Sequence, residues 1–227
     1  MEAAVAERVG LVTIGQSPRD DIVPGFLVGL GRPVELVQSG ALDGLNAGQV
    51  AALAPRPGEY VLVTRMNDGR PVTVGRERLL PFLEAAIGRL EQSRVGLIVL
   101  LCTGTFPGLR PAAPLLEPDR LVMSVVQGLL ATGRLGVVTP LPEQIPPTRE
   151  RWSVHWTVSV EAALPYGEAA QIDEAAGKLR AFQPDLVILD CLGFTPGDGR
   201  RTREILKVPV IVPQTIIGRV AAEVLGM

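Results

Sequence analysis

Cys102 and Cys191 are the only cysteines in the 227-residue chain, and each ends an aliphatic run and stands two positions before a glycine. The runs read Val99-Leu100-Leu101-Cys102-Thr103-Gly104-Thr105 and Val187-Ile188-Leu189-Asp190-Cys191-Leu192-Gly193-Phe194. Such a run is a buried strand turning at its carboxyl end, which is where open α/β sheets bind ligands. A thiol at that place meets substrate. If the two halves of the chain fold alike, the two thiols face one pocket, one as thiolate removing a proton and the other returning one. Such a device needs no cofactor. The competing reading is that each cysteine is a small buried hydrophobe.

The neighbouring residues extend both readings. Gly104 lets the backbone approach a ligand closely, and Thr103 and Thr105 offer hydroxyl donors. A helix starting soon after would hold a carboxylate on its free N–H groups and favour the thiolate. Gly193 gives the second turn the same freedom. Asp190 would raise the pKa of a nearby thiol, but successive strand residues face opposite sides, so it serves equally as a loop anchor.

After the first strand comes Gly15-Gln16-Ser17-Pro18-Arg19-Asp20-Asp21. Gln16, Ser17 and Arg19 are candidate contacts to a substrate carboxylate, because the guanidinium fork matches a carboxylate bidentately. Equally, Ser17 caps a helix with Pro18 as its first residue and both aspartates in its first turn. Thr139, at the end of the corresponding strand of the second half, either contacts substrate or fills a strand end. Asn67 is a secondary candidate with Asp190. Hairpin-turn chemistry accounts for Asn67 and Asp68 without any function. His155, the single histidine, lies beside Trp152 and Trp156 and reads as structural. No spacing of Cys, His or acidic residues suits a metal ion. The Gly-x-Gly-x-x-Gly dinucleotide fingerprint is absent after any strand, as are the phosphate loop and the Gly-x-Ser-x-Gly elbow.

Strands are expected at residues 9–14, 34–37, 60–65, 95–101, 135–139, 154–159, 186–190 and 208–212. Helices are expected at 20–30 (weakened by Pro24), 75–92, 121–132, 167–182, 200–206 and 214–225. This alternation predicts parallel sheet with helical crossovers. Asn67-Asp68-Gly69 predicts a tight turn, with residues 71–74 returning as an antiparallel ribbon. The proline-rich stretch 141–148 is expected to break regular structure.

Val9-Gly10-Leu11-Val12-Thr13 echoes Leu135-Gly136-Val137-Val138-Thr139, and each opens a half that ends in a cysteine strand. The expected fold is therefore α/β: two pseudo-symmetric parallel-sheet lobes with a cleft between them. Residues 1–110 form the first lobe and 111–207 the second, while 208–227 supply a terminal strand and helix returning to the first.

The formal net charge is −2, without a basic block, which argues against nucleic acid as a partner. Apolar runs are strand-sized, too short to cross a membrane. The amino-terminal residues lack the apolar core of a signal peptide. A cytoplasmic protein is the expectation.

Thr13-Ile14-Gly15-Gln16-Ser17-Pro18-Arg19, Met66-Asn67-Asp68-Gly69 and Leu189-Asp190-Cys191-Leu192-Gly193-Phe194 together resemble the AroM family of small bacterial proteins. The resemblance extends along nearly the whole chain. More widely the sequence is similar to the aspartate/glutamate racemase superfamily. That resemblance implies two similar α/β lobes, one cysteine in each, and no pyridoxal phosphate, metal or nucleotide. It matches Cys102 and Cys191 to the superfamily cysteines, and suggests a homodimer. Amino-acid racemases read Cys-Asn-Thr at the first site where this chain has Cys102-Thr103-Gly104, and place threonine where it has Leu192. The expected function is a cofactor-independent isomerase or racemase-like enzyme moving a proton on a small carboxylate. The alternative is a non-catalytic protein that keeps the pocket and binds a small carboxylate or aromatic metabolite.

Overall fold

In the computed structural model, residues 8–226 are described. They divide into two units: residues 8–119 with 217–226, and Arg120–Ile216.

The first unit is built on a parallel sheet of β1 (Arg8–Thr13), β2 (Glu35–Gly40), β5 (Leu97–Leu100) and β6 (Leu115–Leu116), in the order β2-β1-β5-β6. The central strands read Val-Gly-Leu-Val-Thr and Leu-Ile-Val-Leu and are buried on both faces, as a parallel sheet under helices requires. Helix α1 (Val23–Leu30) joins β1 to β2. A short α2 (Ala47–Ala51), capped by Asn46, leads to the antiparallel hairpin β3 (Val61–Arg65) and β4 (Pro71–Gly75). The predicted Asn-Asp-Gly turn is there: Met66 N donates to Arg70 O at 2.9 Å, and Gly69 takes the positive φ of 87° that suits glycine. Helix α3 (Arg76–Gln92) buries Leu79, Leu83, Ala86, Ile87 and Leu90, a stripe at helical spacing, and returns the chain to β5.

The second unit repeats the plan with α4 (Pro118–Leu129), β7 (Arg134–Thr139), α5 (Ile145–Ser153), β8 (Thr157–Ala162), α6 (Ala169–Phe182), β9 (Leu186–Leu189), α7 (Pro196–Leu206) and β10 (Val210–Ile211), and the closing helix α8 (Pro213–Val224) belongs to the first unit from Ile217 on. Its strand order, β8-β7-β9-β10, is the first sheet's order restated, with β7 for β1, β8 for β2 and β9 for β5. The registers agree too. Val9 pairs with Leu97 and Val12 with Leu100; Leu135 pairs with Leu186 and Val138 with Leu189. Leu135, Val137, Leu186 and Ile188 pack with Trp152 on one face of this sheet, and Val138, Val187 and Leu189 pack with Ala175 and Leu179 on the other.

Several boundaries differ from expectation, with α4 and α7 starting earlier, at Pro118 and Pro196. The stretch 141–148 does not break structure: Pro142 starts a 3-10 turn, and Pro146 and Pro147 lie in the first turn of α5. Proline fits there, since first-turn N–H groups have no helical partner to lose. Strand β8 consequently starts at Thr157, not 154, because α5 and a turn occupy the preceding residues. Helix α1 begins at Val23, so Pro24 sits in its first turn and is no weak point, and Ser17 does not cap it.

Candidate active-site turns and their relatives

In the first unit the carboxyl ends of β1 and β5 adjoin, because these strands are hydrogen-bonded neighbours. Cys102 lies two residues beyond Leu100, half-buried and not in a disulfide. Its Sγ accepts the Gly104 N–H at 3.2 Å. A backbone donor on sulfur favours the thiolate. No helix follows directly; the next begins at Pro118. Thr103 is buried, Thr105 is half-buried, and the Thr105 carbonyl accepts from Arg76 Nη1 at 3.4 Å. A methyl on Gly104 would stand 2.7 Å from Leu62 Cδ2, so β3 of the hairpin rests on this turn.

The Gly15–Arg19 loop rests on the same hairpin. A methyl on Gly15 would meet Thr64 Oγ1 at 2.4 Å and Arg65 O at 2.5 Å, and Gln16 N donates to Arg65 O at 3.2 Å. The Gln16 side chain ties the loop to both flanks: Oε1 accepts the Asn67 N–H at 2.9 Å, and Nε2 donates to Leu42 O at 3.4 Å. Ser17 is held by Asp43, whose Oδ1 accepts the Ser17 N–H at 2.8 Å and whose Oδ2 accepts the Ser17 hydroxyl at 2.7 Å. Asp43 Oδ2 also accepts the Gly40 N–H at 2.7 Å. Arg19 is buried, and its fork grips Asp21 at 2.9 and 2.8 Å while Nη1 donates to Thr13 Oγ1 at 2.9 Å. Burial pushes the Asp21 carboxyl up, but the hydrogen bond and charge of Arg19, with Arg65 beyond, outweigh it and hold the pKa below the ordinary value. Ser17 and Arg19 are thus engaged in holding the loop. The Asn67 side chain is exposed at the hairpin turn, next to the Asp68–Arg70 pair that shapes it.

The second unit places Cys191 at the equivalent position, two residues beyond Leu189. It is half-buried, with the Gly193 N–H donated to its Sγ at 3.4 Å. Its side chain continues the face of Val187 and Leu189. Asp190 takes the opposite face: it is buried, and its Oδ2 accepts from Trp152 Nε1 at 2.9 Å with Arg151 Nη2 at 3.3 Å. Thr139 is buried and donates to Gln144 Oε1 at 3.3 Å. Gly193 is buried, and a methyl on it would meet Pro165 Cγ at 2.8 Å and Tyr166 Cε1 at 2.9 Å. His155 is exposed in the turn after α5, edge-on to Trp156 with ring centroids 5.3 Å apart.

The backbone bonds confirm the equivalence. Leu101 N donates to Val12 O at 2.7 Å, and Asp190 N to Val138 O at 2.8 Å. Ala41 N donates to Thr13 O and Ala163 N to Thr139 O, both at 2.9 Å. Asp43, Arg151 and Tyr166 escape a reading of the sequence. Asp43 follows a strand end in an Asp-Gly turn, the one local signal it gives. Tyr166 stands in Pro165-Tyr166-Gly167 after β8, where a glycine turn at a strand end is again the clue. Among the described residues no group of three or more His, Cys, Asp or Glu can hold a metal ion. None of the described helices is long and apolar enough to cross a membrane.

Solved structures of racemases and an isomerase share this fold of two parallel sheets at low sequence identity. Glutamate racemase isoform RacE1 from Bacillus anthracis matches with a TM-score of 0.66 at 14% identity, over 97% of this chain and 82% of that one. Nocardia farcinica maleate cis-trans isomerase, bound to TRIS, gives 0.63 at 14% over 97% and 93%, and allantoin racemase from Pseudomonas fluorescens 0.62 at 15% over 96% and 91%. The family described as AroM protein matches residues 9–225, and the chain belongs to it. No curated protein matches the sequence.

Proposed function

We propose that this protein is a cofactor-independent isomerase or racemase-like enzyme that uses Cys102 and Cys191 to move a proton on a small carboxylate. One observation carries the reading: the two cysteines hold the same register position in two sheets of one topology, each accepting a backbone N–H two residues on. One sulfur, as thiolate, takes the proton from the carbon beside the carboxylate, and the C–H electron pair passes into an enediolate. The other, as thiol, gives its proton to that carbon and becomes the thiolate. The roles have then exchanged, and no atom is gained or lost.

In this reading Thr103 and Thr105 supply hydroxyls to the carboxylate and its developing charge. In the same reading Gln16, Ser17 and Arg19 have a supporting part, which is favoured by their hydrogen bonds to Leu42, Asp43 and Thr13 that tie the Gly15–Arg19 loop down. Thr139 does the same for the segment leading into α5.

The test is incubation of the protein in deuterated water with a panel of 2-amino, 2-hydroxy and unsaturated dicarboxylic acids, followed by NMR. The expected result is deuterium at the carbon beside a carboxylate in at least one acid. Acids that raise the melting temperature but never exchange would replace this reading with the binding-protein one.

A further inference from the structure

Residues 191–194 form a β-turn, closed by Phe194 N donating to Cys191 O at 3.3 Å. The central peptide of that turn joins Leu192 to Gly193, and both of its polar ends are engaged. At one end the Gly193 N–H is donated to Cys191 Sγ at 3.4 Å. At the other the Leu192 carbonyl accepts from Gln214 Nε2 at 2.7 Å. The bond that closes a β-turn leaves its central peptide two orientations, one in type I and the opposite one in type II. Glycine in the third position is compatible with both, so the residues of the turn do not choose between them. Gln214 makes the choice. Its side chain is buried in the first turn of α8. The pairing of β10 with β9 brings it there: Val210 lies beside Val187 and Ile211 beside Ile188, so the chain leaving β10 runs alongside the chain leaving β9. A flip of the peptide would withdraw Leu192 O from the buried Gln214 donor, which is costly, and would turn the Gly193 N–H away from the sulfur. Accepting at the carbonyl also polarises the amide and strengthens its N–H as a donor.

We propose that Gln214 is a positioning residue for Cys191: by holding Leu192 O it aims the Gly193 N–H at the sulfur and so stabilises the thiolate. The inference rests on Cys191 being a reacting thiol. It adds the residue, distant in sequence, that sets how readily that thiol gives up its proton. The charged groups around the turn have other partners. Asp190 is on the opposite face with Trp152 and Arg151, and Asp198 accepts from Thr195 at the start of α7. The Tyr166 ring lies against Gly193. A neutral replacement at Gln214 leaves all of these groups in place.

The experiment alkylates the full-length protein with iodoacetamide over a range of pH and reads the rate at each cysteine from peptide mass spectra. The midpoint of each rate curve marks the ionisation of that thiol. Gln214→Met keeps the length of the side chain and removes the donor. It should raise the Cys191 midpoint by about half a pH unit or more, the scale of a weakened hydrogen bond to a charged sulfur, and leave the Cys102 midpoint in place. Thr202→Val is the comparison. It removes another hydrogen bond of the second unit, from the buried Thr202 Oγ1 to Asp198 O at 2.8 Å, without touching the turn peptide, and should move neither midpoint. Where Gln214→Met fails to fold, NMR of isotope-labelled wild type answers instead: the Gln214 side-chain amide and the Gly193 N–H should shift together, with the midpoint of Cys191. An unmoved Cys191 midpoint in folded Gln214→Met, an equal shift from Thr202→Val, or a Gln214 amide that ignores the Cys191 titration would overturn the proposal. Alkylation needs no turnover, so its failure leaves proton transfer standing, and absence of deuterium exchange leaves the alkylation result standing.

Discussion

Cys102 and Cys191 occupy one position in one topology, yet their surroundings differ at almost every side chain. The residue before Cys102 is Leu101, an apolar plug; before Cys191 it is Asp190, a buried acid held by Trp152 and Arg151. Thr13 accepts from a buried arginine, whereas its counterpart Thr139 donates to a glutamine. A hairpin covers the first turn and the loop after β8 covers the second. A helix starts at Pro196, soon after Cys191, but not until Pro118 after Cys102. The comparison teaches that the fold fixes where a thiol stands and which backbone N–H reaches it, while side chains from neighbouring segments make the two thiols unlike. Unlike thiols suit a reaction that begins from one chosen side.

The largest effect should come from Asp190. Asp190→Ala removes the counter-charge of Arg151 and the acceptor of the Trp152 indole N–H inside the second unit, at a cost of about 3–5 kcal/mol in chemical denaturation. Were it to cost no more than an exposed acid, the distinction between Leu101 and Asp190 would lose its energetic meaning.

Asp21 is the corresponding anchor in the first unit. Asp21→Asn weakens the grip on Arg19 and should cost about 1.5–3 kcal/mol, the range for hydrogen bonds to charged groups. Because the folded pKa of Asp21 is depressed, its contribution is complete above the unfolded carboxylate value and is lost as the pH falls through the lower folded one. An acid titration of stability should therefore show wild type losing more than Asp21→Asn in that window. Parallel curves would contradict the assignment.

The glycines test the two covers. Gly193→Ala presses on the Pro165 and Tyr166 rings, and Gly104→Ala presses on Leu62, buried in the first unit's core, so each should cost about 1–3 kcal/mol. Thermal melts of the two variants decide it, and an unchanged melting temperature in either would refute the close cover at that turn. The smallest change is Gln16→Ala, which frees a partly exposed loop contact for about 0.5–1 kcal/mol, with faster amide exchange at Asn67 as its signature.

Much of the fold was legible because long aliphatic runs and glycine turns carry their own period: β1, β5, β7, β9 and the Asn-Asp-Gly hairpin all lie near their expected places. What escaped was short or ambiguous. Helix α2 and strand β6 are too brief to show periodicity, and the prolines of 142–147 start a helix as readily as they break one. At the candidate sites the strand-end cysteines and their glycines could be read directly. The partners could not, since Ser17 meets Asp43 and Asp190 meets Trp152 only once parallel strands bring distant segments together. Local sequence carries no record of such pairings.

The most direct measurement takes the acid that exchanges fastest and repeats the deuterium experiment with Cys102→Ser and Cys191→Ser. A serine hydroxyl keeps the shape but is a far poorer base, so each variant should lose about a hundredfold or more in the rate of isomer interconversion. Interconversion at the wild-type rate in either variant would contradict the claim that both thiols move the proton.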